Sequence, residues 1–184
     1  MSKVLVPLAP GFEEIEAITV IDILRRAGVE VIVAGTQAGQ IAASRKTKHV
    51  PDCTLDEVRP DDFDMIVLPG GQPGATNLRD DPRLRKLIET LQAGNRPIAA
   101  ICAAPTVLAA YGVLKDRSAT CHPSVRAEVA SAAKRMSDER VVVDGSVITS
   151  QSAGTAMEFA FKLVEILCGA GKAAEVNRGV LARL

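Results

Sequence analysis

Short apolar runs alternate with amphipathic stretches along the whole chain, and this alternation restricts the fold more than any single motif does. Lys3 to Leu8 and Val29 to Ala34 read as buried strands on either side of a helix from about Glu14 to Ala27, with Gly28 as its C-terminal stop. Strand, helix and strand in that order make a right-handed crossover unit. A polar, irregular stretch from Gly35 to Asp52 reads as a small hairpin excursion. Met65-Ile66-Val67-Leu68 then resumes the sheet and ends at Pro69-Gly70-Gly71. A helix over Pro82 to Ala93, the apolar run Pro97 to Ile101 and a helical segment from Ala103 to Ala110 come next. Beyond them the pattern predicts a short strand Ser118 to Cys121, a helix from Ser124, and an antiparallel pair turning at Asp144-Gly145. A long helix from Thr155 to Leu167 and a last one from Ala170 to Leu181 complete it. The 184 residues contain no repeat, low-complexity tract or linker, so a single α/β domain over residues 1–184 is expected.

Composition agrees with a buried parallel sheet. Hydrophobic residues are 47% of the chain and aromatics only 3%, so the core must be built from Val, Ile, Leu and Ala. Lys+Arg and Asp+Glu stand at 22 each, which leaves no net field to draw nucleic acid or an anionic membrane surface, and neither is an expected partner. Met-Ser-Lys leads directly into Val4-Leu5-Val6, with no signal-peptide profile and no apolar run long enough to span a bilayer, so a cytoplasmic protein is expected. Cys53, Cys102, Cys121 and Cys168 lie at wide, irregular spacings, and His49 and His122 are the only histidines. Four free thiols and no metal site follow.

Cys102 is the residue that points to chemistry. It follows a buried apolar run and precedes a helix, so the turn lifts its side chain above the sheet edge while the helix's free N–H groups favour thiolate over thiol. Pro105 falls in the first helical turn, where its missing N–H costs nothing. An inert buried cysteine is the competing explanation, since cysteine is among the most buried residue types. Context favours reactivity, because Leu8, Leu68 and Ile101 bring three strand ends together, and sites in open parallel sheets form beyond such ends. Gly70 and Gly71 supply backbone N–H groups free of side-chain obstruction, as an oxyanion site needs, although an isolated Gly-Gly would read as a tight turn. Glu16 lies in a stretch where Ile15, Ile18 and Ile23 are expected to pack inward, and an acid beside that face requires a reason. Glu13 and Glu14 require none, since acids in a first helical turn complement its dipole. His122 follows a strand directly, which suits general acid/base duty.

These residues resemble the ThiJ/PfpI superfamily, in its branch of parkinsonism-associated deglycases and their bacterial ThiJ-type relatives. The resemblance spans essentially the whole chain. It rests on Pro10-Gly11-Phe12-Glu13-Glu14-Ile15-Glu16, Val67-Leu68-Pro69-Gly70-Gly71 with Gly74, Ala99-Ala100-Ile101-Cys102-Ala103-Ala104-Pro105, and Thr149-Ser150 with Gly154-Thr155. It implies a flavodoxin-like three-layer sandwich with a mostly parallel sheet and a cysteine nucleophile elbow. It further implies a homodimer, Cys102 as nucleophile, Glu16 as the acid hydrogen-bonded to its thiolate, His122 as the nearby base, and Asp22 orienting His122 from the partner subunit. Ala104, Gln151 and Ser152-Ala153 depart from the Gly, Arg and Gly-Pro that many relatives carry at these places. A glutamine amidotransferase needs a His late in the chain, and the protease branch has His where Ala103 stands, so both readings fall away.

The resemblance implies a cofactor-free, glutathione-independent glyoxalase or deglycase acting on 2-oxoaldehydes such as methylglyoxal and glyoxal, or on their early protein and nucleotide adducts. Backbone N–H groups of Gly70, Gly71 and Ala103 are the expected oxyanion donors. Cys102 is expected to be a low-pKa thiol that oxidises first to sulfinate. The alternative function is a redox-responsive chaperone or sensor that works through that oxidation.

Overall fold

Side chains of the first strand divide between two cores. Val4, Val6 and Leu8 enter one hydrophobic cluster and Leu5 the other, as the two-residue repeat of a strand with both faces covered requires. The computed structural model describes residues 2–184. Its central sheet consists of β1 (Lys3–Leu8), β2 (Glu30–Gly35), β3 (Cys53–Thr54), β4 (Met65–Leu68), β5 (Ile98–Ile101), β6 (Val141–Asp144) and β7 (Val147–Ser150). These lie in the order β6-β7-β5-β4-β1-β2-β3, and every neighbouring pair is parallel except β6 with β7. The run β2-β1-β4-β5-β7 is the flavodoxin-like order, with its reversal between β1 and β4. Those two strands are registered only at Val4↔Met65 and Leu5↔Ile66. Pro7, with no N–H to donate, comes just after, and the crevice at the switch point opens there.

Helices cover both faces. On one side α1 (Glu14–Arg26) and α6 (Ala156–Cys168) pack on the sheet, with α7 (Ala170–Val180) contributing Val176. On the other lie α2 (Gly74–Arg79), α3 (Pro82–Ala93), α4 (Pro105–Ala110) and α5 (Arg126–Ala130). This is the three-layer sandwich that the family resemblance implied. Among the described residues no helix is long and apolar enough to cross a membrane.

α1 begins where the Glu13 carboxylate caps the Glu16 N–H at 2.9 Å, carries Arg25 and Arg26 in its last turn, and is followed by Gly28 at φ +81°. Its buried stripe is Glu16, Ala17, Val20, Ile21, Ile23 and Leu24. Only Ile23 of the three isoleucines expected inside is there, since Ile15 and Ile18 are 57% and 41% exposed. The reason is phase: at 100° per residue, Ile15 and Ile18 fall on the far side of the stripe that Glu16 and Val20 define.

The excursion after β2 contains the expected hairpin, Ile41–Ala42 against Lys48–His49, and returns to the sheet as β3, which has too few residues to announce itself. The segment expected as a strand to Cys121 is paired only at Ser118–Ala119, in a separate ribbon with Arg135–Met136, because its next N–H goes to a side chain, Thr149 Oγ1. The expected helix from Ser124 is a single 3-10 turn, Pro123–Val125, leading into α5.

Candidate active site

Cys102 stands at φ +65°, in the left-handed region that a β-carbon makes unfavourable by about 1–2 kcal/mol. Both of its backbone groups are held from outside the turn: its N–H donates to the Ser150 carbonyl at 3.0 Å and its carbonyl accepts the His122 N–H at 2.9 Å. Such a conformation persists only where neighbours over-determine it, and it is the nucleophile elbow that the sequence suggested. The helix behind it is shorter than expected, since α4 starts at Pro105 and leaves Ala103 and Ala104 in the turn.

Gly70 is required by close approach. A β-carbon there would lie 2.7 Å from Cys102 Cβ, 2.7 Å from Glu16 Oε2 and 2.8 Å from the Ile101 carbonyl oxygen. The Gly70 N–H donates to Glu16 Oε2 at 2.8 Å, so it is engaged by that carboxyl and is not available as an oxyanion donor. This corrects one of the three expected donors. The N–H groups of Gly71 and Ala103 remain, and both favour a negative charge on the Cys102 sulfur.

Glu16 is wholly buried, and its Oε1 has no hydrogen-bond partner. Burial pushes its carboxyl up to about 7, against hydrogen bonds from Cys102 and Gly70 that favour the anion. Burial likewise pushes the Cys102 thiol up to about 12, with the Glu16 carboxylate adding to the rise and the Gly71 and Ala103 N–H groups opposing it. Beside an ionised Glu16 the sulfur keeps its proton, and the low-pKa thiol expected from the sequence belongs to the form in which Glu16 is protonated. The two groups titrate as a pair, and the nucleophilic form is the one that places their shared proton on Glu16.

His122 shares a cavity of about 330 Å³ with Cys102, Glu16, Gly71 and Ala103. Its Nδ1 accepts the Ser124 N–H at 3.2 Å and lies 2.7 Å from Ser124 Oγ, as the cap of the 3-10 turn that follows. With Nδ1 accepting the Ser124 N–H, the neutral ring carries its hydrogen on Nε2 and presents it as a hydrogen-bond donor. Two loops complete the walls, one through Ser44 and Arg45 and one through Ser152 and Ala153.

A family model described as DJ-1/PfpI matches residues 2–166. The chain is 45% identical over 183 residues to Protein dj-1beta of Drosophila melanogaster, covering 98% of both chains. The crystal structure of that protein superposes with a TM-score of 0.96 over all of both chains. The chain belongs to the DJ-1/PfpI family. It is also 40% identical over 160 residues to a glutathione-independent glyoxalase, DJR-1.2, of Caenorhabditis elegans, covering 87% of this chain and 85% of that one. A solved structure of oxidized Toxoplasma gondii DJ-1 matches with a TM-score of 0.94, 36% identity and full coverage of both chains.

Within this DJ-1/PfpI domain, Asp22 lies away from Cys102. It pairs with Arg26 at 2.7 Å and lines a separate depression with Ile18, Met157 and Val180. Sequence reasoning missed the part played by Glu14. Its carboxylate accepts the Arg45 N–H at 2.7 Å, the Ser44 hydroxyl at 2.9 Å and the Thr47 hydroxyl at 3.1 Å, which ties the Ser44–Arg45 wall to the first turn of α1. Burial opposes its ionisation, yet these bonds hold Glu14 below the usual carboxylate range. The signal available in the sequence was weak, because a first-turn acid is already explained by the helix dipole.

The raised pKa of Glu16 has a consequence for stability. A carboxyl at about 7 when folded, against an ordinary 4.5, favours the native state fully below pH 4.5 and loses that contribution as pH rises through 7. Glu16→Gln has no such proton to lose. Between pH 4.5 and pH 8 the unfolding free energy of the wild type should fall by about 3 kcal/mol relative to the variant. Urea unfolding of both proteins across this range checks it, and a difference independent of pH would contradict the assignment.

Proposed function

We propose that this DJ-1/PfpI protein is a cofactor-free glyoxalase that uses Cys102 to convert methylglyoxal or glyoxal to the corresponding hydroxy acid. The observation that carries the reading is the strained, half-buried Cys102 in one cavity with the wholly buried Glu16 and with Gly71 and Ala103. The similarity to a glutathione-independent glyoxalase supports it.

In this reading the Cys102 thiolate adds to the aldehyde carbon of methylglyoxal, forming a carbon–sulfur bond and an alkoxide that the Gly71 and Ala103 N–H groups stabilise. Protonated Glu16 gives its proton to the alkoxide and becomes the base. It then takes the hydrogen from the former aldehyde carbon and returns it to the adjacent carbon, while His122 Nε2–H relays the proton between the two oxygens. The product of this shift is a lactoyl thioester on Cys102. Water hydrolyses it, releasing lactate and the thiol, so the net reaction is addition of one water to methylglyoxal. Early hemithioacetal, hemiaminal and aminocarbinol adducts present the same carbon at the same oxidation level, and deglycation is the proposed extension to them. The partner subunit is a second copy of this chain, with the exposed Ile15 and Ile18 of α1 beside the interface and Asp22 reaching towards the other subunit's site.

The redox reading draws on a different observation, the full-length likeness to the solved structure of an oxidized DJ-1. A carboxyl that donates to a thiolate also donates to a sulfinate oxygen, so Glu16 serves either product. Loss of reduced Cys102 in stoichiometric amounts under peroxide, without aldehyde turnover at high enzyme concentration, distinguishes this role.

Cys102→Ala should reduce methylglyoxal turnover to background, whereas Cys53→Ala, Cys121→Ala and Cys168→Ala should each keep more than about half of it. Lactate formation by protein from a host lacking its own glyoxalases is the measurement, with a fast aldehyde trap to separate true adduct hydrolysis from scavenging. Because the nucleophilic form has lost one of the pair's two protons, kcat/KM should rise with pH through about 7, the value at which Glu16 first ionises. Near-wild-type turnover by Cys102→Ala would refute the mechanism.

Sedimentation at micromolar concentration should show a dimer, and Ile18→Asp should shift it towards monomer. A wild-type monomer at that concentration would remove the proposed role of Asp22.

A further inference from the structure

The Ser152–Ala153 wall of the cavity is held by a residue that lies outside it. Arg140 donates from Nη2 to the Gly154 carbonyl at 2.7 Å and from Nε to Glu158 Oε2 at 2.6 Å. Its own carbonyl accepts the Ser150 hydroxyl at 2.8 Å and the Gln151 N–H at 3.3 Å. From Ser150 the chain of bonds continues inward, since its Oγ lies 2.6 Å from Thr155 Oγ1, which accepts the Ser152 N–H at 3.1 Å. Ser150 is also the residue whose carbonyl fixes the Cys102 N–H. The backbone of residue 140 thus holds the end of β7, which supports the elbow, while its guanidinium holds the loop beyond, which forms the wall.

We infer that the Arg140 side chain is a positioning group for the Cys102 site, fixing the Ser152–Ala153 wall through the Gly154 carbonyl without contact with substrate. The inference rests on the glyoxalase reading for its kinetic consequence, though not for its geometry. An arginine is needed because its planar fork reaches a carbonyl and a carboxylate at once, which the single nitrogen of lysine does less well. The competing explanation is a surface ion pair with Glu158 and nothing more. At 55% and 28% side-chain exposure that pair contributes little by itself.

The two explanations separate on which partner is removed. Glu158→Gln abolishes the charge pair and leaves the Arg140–Gly154 bond, whereas Arg140→Met removes both and Arg140→Lys weakens the second. With methylglyoxal as substrate, Arg140→Met should raise KM about tenfold with kcat within about twofold, because the wall seats substrate but takes no part in bond making. Arg140→Lys should fall between, and Glu158→Gln should stay near wild type. Equal KM values for Arg140→Met and Glu158→Gln, or no change in either, would overturn the role. A second measurement needs no turnover. The rate of Cys102 alkylation by iodoacetamide, read by peptide mass spectrometry, should change at least about threefold in Arg140→Met and hardly at all in Glu158→Gln. Should the wild type fail to turn over methylglyoxal, the glyoxalase reading falls and the alkylation rates still decide the role of Arg140. Should Arg140→Met fail to fold, Arg140→Lys against Glu158→Gln makes the same comparison.

Discussion

The contact between the Gly70 N–H and Glu16 Oε2, 2.8 Å long and closed to solvent, is the constraint around which the rest of the site is arranged. It joins the first turn of α1 to the end of β4, and the absent β-carbon of Gly70 leaves room for Cys102, which follows β5, beside that carboxyl. Three chain segments far apart in sequence therefore meet at one carboxyl. A side chain at position 70 would separate all of them at once.

Charge is rationed at this junction. A carboxylate, a thiolate and a buried backbone cannot all be accommodated in a low-dielectric crevice, so the carboxyl and thiol share a proton and only its position changes. The Gly71 and Ala103 N–H groups favour the tautomer with thiolate, while burial of Glu16 favours the acid. In the proposed reaction the pair serves nucleophilic addition and proton transfer with one group each, while the His122 Nδ1, which accepts the Ser124 N–H, leaves Nε2 facing that chemistry.

Much of the fold was legible because both faces of the sheet are covered, which writes the strands as uninterrupted apolar runs and the helices as amphipathic stretches. Glu16, Gly71 and Cys102 were legible as breaks in that pattern: an acid in a buried stripe, a glycine past a strand end, a thiol between strand and helix. The errors have local causes. Ile15 and Ile18 looked like core because hydrophobicity alone does not fix the phase of a helix, and Glu16 itself sets it. Gly70 looked like an oxyanion donor because sequence does not say which acceptor an N–H already has. Glu14 and Arg140 were overlooked because their partners include loop groups well separated in sequence, which residue identity alone does not bring together.

The opening of α1 is a mechanical element as much as a chemical one. Glu13 caps the helix, Glu14 holds the Ser44–Arg45 loop and Glu16 stands buried beside the sulfur, all at the start of one helix whose exposed apolar side chains there are Ile15 and Ile18. Cap, loop and carboxyl are therefore anchored to the same few residues of backbone, and the two isoleucines present that anchor to solvent.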